Sequence, residues 1–176
     1  MKHILVVVDM QQDFICGSLG TAEAQAIIPK VIEKIEGFDG TIYFTKDTHG
    51  EDYLQTAEGK KLPVEHCIAG TPGWEIPESL LRAARDKDYE VIEKPTFGSE
   101  KLAETLKGIH ETDSDMTIQF VGLCTDICVV SNAIVAKMYL PDIQISVDAN
   151  CCAGTSPEAH DAALLTMKMC QIDLVE

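Results

Sequence analysis

Short apolar runs alternate with longer amphipathic stretches along this chain. Residues 4–8 (Ile-Leu-Val-Val-Val) are a continuous β-branched and leucine run, the pattern of a strand buried on both faces. Residues 21–37 keep a helical period, with Ile27, Ile28, Val31, Ile32 and Ile35 in step and Gly37 as a stop. The same reading predicts strands over 41–45, 89–92, 116–121 and 143–147, and a sixth over 172–175. It predicts helices over 77–87, 99–108 with Ser99 as cap, 125–138, and 156–169 with Pro157 in its first turn. Residues 47–73 are a long polar stretch without clear period, and loops of that length are usually functional.

Strand and helix alternate throughout. That predicts an α/β fold, a three-layer αβα sandwich with a mostly parallel central sheet of five or six strands. The length suits a single domain over 1–176, without internal repeat or linker. Such sheets bind ligands beyond the carboxyl ends of their strands. The residues expected there are Asp9, Lys46-Asp47-Thr48-His49, Glu93-Lys94, Gly122-Leu123-Cys124 and Asp148-Ala149-Asn150.

Charge narrows the partners. Fourteen Lys and Arg stand against 29 Asp and Glu, a formal net charge of −15. That balance argues against nucleic acid and against anionic membrane surfaces, but leaves a small anionic substrate open. The apolar runs are strand-sized, so no membrane span is expected. The first nine residues end in an acid and lack a cleavage site, unlike a signal peptide. Seven cysteines, an odd number, read as reduced thiols and predict a cytoplasmic location.

Three residues at the predicted edge can carry chemistry. Cys128 falls in the first turn of a helix that Thr125 or Asp126 can cap, where free N–H groups favour a thiolate and can hold an oxyanion. The plainer alternative is a buried small hydrophobe, and Cys124 competes for the nucleophile's role. Asp9 follows a buried run and needs a partner there; capping the next segment is the alternative, which suits Asp13 better. Lys94 at a strand end can pair with Asp9 and stabilise a thiolate, or can snorkel to solvent. In the long loop, Asp47, His49, Glu58 and His66 form a set that suits zinc, manganese or iron, although acids and histidines are also ordinary loop residues.

Three ordered segments resemble the isochorismatase-like cysteine hydrolases, a superfamily that includes nicotinamidases. They are Val8-Asp9-Met10-Gln11-Gln12-Asp13-Phe14, Lys94 after its strand, and Val121-Gly122-Leu123-Cys124-Thr125-Asp126-Ile127-Cys128-Val129. The likeness continues through Ser156-Pro157-Glu158-Ala159-His160 and covers nearly the whole chain. It implies an Asp9–Lys94–Cys128 triad, an oxyanion hole from the backbone N–H groups of Cys124 and Cys128, and a cis peptide at Leu123–Cys124. It implies a divalent metal, zinc or else manganese or iron, on Asp47, His49 and His66, with Glu58 as fourth ligand and Glu51 and Glu65 as rivals. The implied reaction is hydrolysis of the C–N bond of a small amide such as nicotinamide, through a thioester. Nicotinamidases commonly carry an aromatic residue shortly before the second histidine, but here that stretch is Leu62-Pro63-Val64-Glu65-His66. Phe14, Phe97 and Leu123 are the expected substrate contacts, with Trp74 as a further aromatic. A ureido or carbamoyl acid, an isochorismate-like vinyl ether, a non-catalytic ligand-binding role and a structural zinc site on the cysteines are the alternatives. A homo-oligomer is also implied, with the helix around residues 133–139 as one face.

Overall fold

A computed structural model describes residues 1–175 and orders them as six strands and seven α-helices. The strands are β1 (Lys2–Val8), β2 (Thr41–Asp47), β3 (Tyr89–Lys94), β4 (Met116–Leu123), β5 (Gln144–Ala153) and β6 (Asp173–Val175). The helices are α1 (Gln12–Ile15), α2 (Ala22–Gly37), α3 (Ala57–Lys61), α4 (Glu78–Ala83), α5 (Glu100–Thr112), α6 (Val130–Tyr139) and α7 (Pro157–Met169). All pairings are parallel, in the order β3-β2-β1-β4-β5-β6.

The unbroken apolar run of β1 follows from its central place. Ile4, Val6 and Val8 pack with Leu102 and Leu106 of α5, Ala133 of α6 and Met167 of α7. Leu5 and Val7 face the opposite way, against Ile27, Val31 and Ile35 of α2 and Leu80 of α4. Each side chain so buried stabilises the fold by roughly 1.5–3 kcal/mol before conformational entropy is counted. Helix starts are set by hydroxyl caps: Thr21 on Ala24 N, Thr56 on Gly59 N, Ser99 on Leu102 N and Ser156 on Ala159 N, all at 3.0–3.1 Å.

Several elements differ from the pattern-based expectation. β5 does not stop at residue 147 but continues to Ala153, through a register shift against β4 between Phe120 and Gly122. Asp148 therefore sits within the strand and pairs with Lys34 of α2 at 2.6 Å, so the Asp148–Asn150 group is not at the carboxyl edge. Cys151 and Cys152 are consecutive on that strand and enter opposite faces of the core. The helix expected over 77–87 is shorter, and the one over 125–138 is split by a π-helical turn, Thr125–Val129, that precedes α6. The 47–73 stretch is not structureless: it holds α3, two 3-10 turns and a parallel bridge between His49 and Ile68. No helix among the described residues is long and apolar enough to cross a membrane.

One glycine decides how the site closes. Gly122 has φ of +115°, and a Cβ there would lie 2.2 Å from the Val8 carbonyl oxygen. Only glycine allows β4 to run this close to β1, beside Asp9.

Candidate active site

Parallel pairing brings the ends of β1, β2, β3 and β4 to one edge, with Val8 opposite Gly122 and Asp47 opposite Lys94. Asp9 is the first residue past β1 and is fully buried. Its backbone is in the left-handed region, φ +45°, a conformation that persists only where its surroundings hold it. Thr45 does so twice, accepting the Asp9 N–H and donating its hydroxyl to Asp9 Oδ1 at 2.6 Å. Asp9 Oδ2 lies 2.7 Å from Lys94 Nζ and otherwise has no hydrogen-bond partner.

Lys94 ends β3 and is 1% exposed. Its ammonium is 3.5 Å from Cys128 Sγ and 3.4 Å from Asp47 Oδ1, and it donates to the Thr96 carbonyl at 3.0 Å. Burial works against that charge, but Asp9 first, then Cys128 and Asp47, outweigh it and keep the amine protonated. Burial raises the Asp9 carboxyl above its ordinary value, with the Asp47 charge adding to this and Lys94 opposing it. Cys128 is 4% exposed, and burial together with the Asp9 charge pushes its thiol well up despite Lys94. The helix start was expected to favour a resting thiolate; desolvation wins instead. That direction keeps the proton on the sulfur until a base takes it, and Asp9, held by Thr45 and Lys94, is the adjacent carboxylate.

The turn carrying Cys128 is unusual. The Leu123–Cys124 peptide is cis. The Cys124 carbonyl accepts from Ile127 N at 3.1 Å and from Val129 N at 3.0 Å. The second bond spans five residues and passes over Cys128, whose N–H makes no bond to that carbonyl. Thr125 and Asp126 do not cap this turn, as had been expected: Thr125 bonds His160, and Asp126 accepts from Thr155. Cys124 is half-buried, and desolvation pushes its thiol up to about 12.

A second cluster adjoins the first through Asp47, the last residue of β2. Asp47 Oδ2 is 3.0 Å from His49 Nε2 and 3.7 Å from His66 Nε2. One donor atom each from Asp47, His49 and His66 lie within 4.8 Å of one another. Glu58 Oε1, on α3, is 3.9 Å from His49 Nε2 and 3.8 Å from His66 Nε2, whereas Glu51 and Glu65 are exposed. The His66 Nδ1 donates to the Val64 carbonyl at 2.8 Å, which leaves Nε2 with its lone pair aimed at the cluster. The hydrogen bond that His49 donates to Asp47 raises the His49 pKa against desolvation. For Asp47 burial acts upward, but His49 and Lys94 outweigh it and hold the carboxyl low. Two imidazoles and two carboxylates in this largely buried cluster fit the donor set of a divalent transition metal.

The isochorismatase domain family matches residues 3–175. The chain belongs to that family. Among relatives, the nicotinamidase/pyrazinamidase of Mycobacterium tuberculosis is 30% identical, covering 97% of each chain. The nicotinamidase of Schizosaccharomyces pombe is 26% identical over 97% of this chain and 91% of its own. Among solved structures, the nicotinamidase/pyrazinamidase of Bacillus subtilis superposes with a TM-score of 0.85 at 26% identity and full coverage of both chains. A pyrazinamidase of Pyrococcus horikoshii, solved in complex with zinc, gives 0.78 at 27% identity, covering 100% of this chain and 99% of its own.

Within this isochorismatase-family edge, Phe14 lies 5.5 Å from the His66 ring, centroid to centroid. Phe97 is 46% exposed and its carbonyl is held by Asn132. Leu123 packs its side chain into the α2-side core. Trp74 is under the Lys46 ammonium at 3.1 Å and donates Nε1 to Thr48.

Three residues at the edge had been given no role from sequence. Thr45 holds Asp9. The fully buried Gln11 side chain accepts from Asp47 N and donates to the Asp47 and Trp74 carbonyls at 2.7–2.9 Å. Tyr53 packs against both His49 and His66, at 4.8 and 4.9 Å between centroids, and donates to Leu62 O. Position on β2 opposite Asp9 could have found Thr45. Nothing local marks Tyr53, which lies in the aperiodic stretch.

Proposed function

We propose that this chain, acting as a single domain, is a cysteine amidohydrolase that cleaves the C–N bond of a small amide such as nicotinamide. One observation carries the reading: a buried ammonium, Lys94, touches both a buried carboxylate and a thiol. The names of the family relatives support the substrate class.

Asp9 takes the proton from Cys128 Sγ, and the sulfur adds to the amide carbonyl carbon. The carbonyl oxygen becomes an oxyanion held by the N–H groups of Cys124 and Cys128, the latter kept off the Cys124 carbonyl by the π turn. Asp9 returns the proton to the nitrogen, the C–N bond breaks, and ammonia leaves a thioester. Asp9 then draws a proton from water, whose oxygen attacks the thioester carbon. The carboxylic acid departs and the thiol regains its proton. Lys94 stays charged throughout, steadying the thiolate as it forms and keeping Asp9 in place.

Asp47, His49 and His66, with Glu58, would hold a divalent ion, zinc foremost with manganese or iron as the other candidates. Such an ion supplies a coordination position for a ring nitrogen of the substrate. Phe14, beside His66, and Phe97 supply apolar surface for the ring. Seven unpaired thiols support a reducing, cytoplasmic setting. Exposed Ile134 and Met138 on α6, and Leu165 and Met169 on α7, support assembly into a homo-oligomer. Sedimentation would test this.

The deciding experiment is ammonia release from nicotinamide by metal-loaded protein, with Cys128→Ala as control. Release by the wild type alone supports the reading. Silence from a folded, loaded wild type removes nicotinamide as substrate, and release by the variant removes Cys128 as nucleophile.

A further inference from the structure

One polar network beside Cys128 is not used by the mechanism above. Thr125 is fully buried, and its hydroxyl is 2.8 Å from His160 Nδ1 on α7. The next residue, Asp126, accepts from Thr155 N at 2.9 Å and from the Thr155 hydroxyl at 2.6 Å. Both contacts come from the segment that leaves β5 and starts α7. That segment approaches closely because residue 154 is glycine: a Cβ there would lie 2.9 Å from Asp126 Oδ1 and 2.8 Å from His160 N.

Two consecutive residues of the π turn are thus tied to one neighbouring segment. A π turn carries one residue more than the α ladder needs, and such turns are rare and short because their geometry is less favourable. Left alone, the turn gains by slipping to the α register. Cys128 N would then bond the Cys124 carbonyl that Val129 now occupies, and the N–H would be lost to any oxyanion.

We infer that the Thr125–His160 contact, with the Asp126–Thr155 pair beside it, holds the turn in its π register, and that His160 is a positioning residue for the oxyanion-binding N–H of Cys128. This rests on the amide-hydrolase reading for its catalytic consequence, but not for its structural one. The competing role for His160 is a staple that fastens α7 and affects stability alone.

Full-length, metal-loaded His160→Ala, His160→Gln and His160→Asn separate the two. Asparagine sets an amide where Nδ1 stood, whereas glutamine mimics Nε2. Hydrogen exchange over residues 124–130 is expected to quicken roughly tenfold or more in the Ala and Gln variants, to return towards wild type in Asn, and to stay unchanged in β1. With nicotinamide, kcat is expected to fall roughly tenfold to a hundredfold in Ala and Gln with KM little changed, since an oxyanion donor acts on the transition state. In a cycle with Thr125→Val, the double variant should lose no more than either single one. Unchanged exchange at the turn, equal quickening in β1, an Asn variant no better than Ala, or additive losses would each overturn the inference. If wild type itself released no ammonia, the functional reading would fall while the exchange data still decided the clamp.

Discussion

Two clusters share the carboxyl edge, and they are balanced differently. Asp9, Lys94 and Cys128 combine one carboxylate, one ammonium and one thiol, and each sits on or directly beside a regular element of the sheet or its first turn. Asp47, His49, His66 and Glu58 place two carboxylates around two imidazoles, with two of the four groups in the 57–66 segment. The first is compensated from within. The second borrows a fixed cation, Lys94, from the first, through Asp47 at 3.4 Å. A buried charge must be neutralised or paired, which suits the internally paired set to the proposed reaction and the acid-rich set to the proposed metal.

The comparison can be broken at several points. The largest effect belongs to Cys128→Ala, which should remove turnover by roughly four orders of magnitude or more while the melting temperature shifts only a few degrees. Residual activity near wild type would take the chemistry away from the compensated cluster. Next, His66→Ala should weaken zinc binding by roughly a hundredfold or more, read by competition with a coloured chelator. Lys94→Met should cost about 3–5 kcal/mol in urea unfolding, because Asp9 is left buried and unpaired. Adding Asp9→Asn should recover much of that loss; if it does not, the first cluster is not self-compensated.

A smaller effect tests the burial of Asp9. Its carboxyl is raised, so protonation begins at a higher pH than for an exposed aspartate, and a protonated Asp9 cannot accept the thiol proton. The acid limb of kcat/KM should therefore fall as pH drops through a value above about 3.9. A limb at that ordinary value would mean Asp9 is not the base. Smallest of all, Glu58→Gln should lower zinc affinity measurably, whereas Glu51→Gln and Glu65→Gln should not.

The sequence was most legible where structure depends on neighbours a few residues away. The run 4–8, the Ser99 cap and the start of the last helix all read correctly, because periodicity and hydroxyl caps are local signals. Asp9 was conspicuous as an ionisable residue ending an apolar strand, whereas Lys94 ends the mostly exposed strand β3 and drew its expected role from the family resemblance. The extension of β5 was not: its apolar alternation breaks at Asp148, whose charge is answered by Lys34, more than a hundred residues earlier. The π turn was invisible for a related reason. Residues 125–138 keep a helical pattern, and the extra residue depends on ties to residues 155 and 160 from a distant segment. Tyr53 and Gln11 escaped because what they do is set by what they touch after folding.

The strand order has a consequence for crowding. β3 and β6 are the rims of the sheet, and a bare rim is a template on which another chain can extend it. β3 shows exposed Glu90 and Glu93, and β6 is three residues long and begins with exposed Asp173. Two copies meeting rim to rim would set like charges against each other on chains that already carry a net −15. The acids at the rims thus act as fenders against edge-to-edge fusion of sheets from different copies.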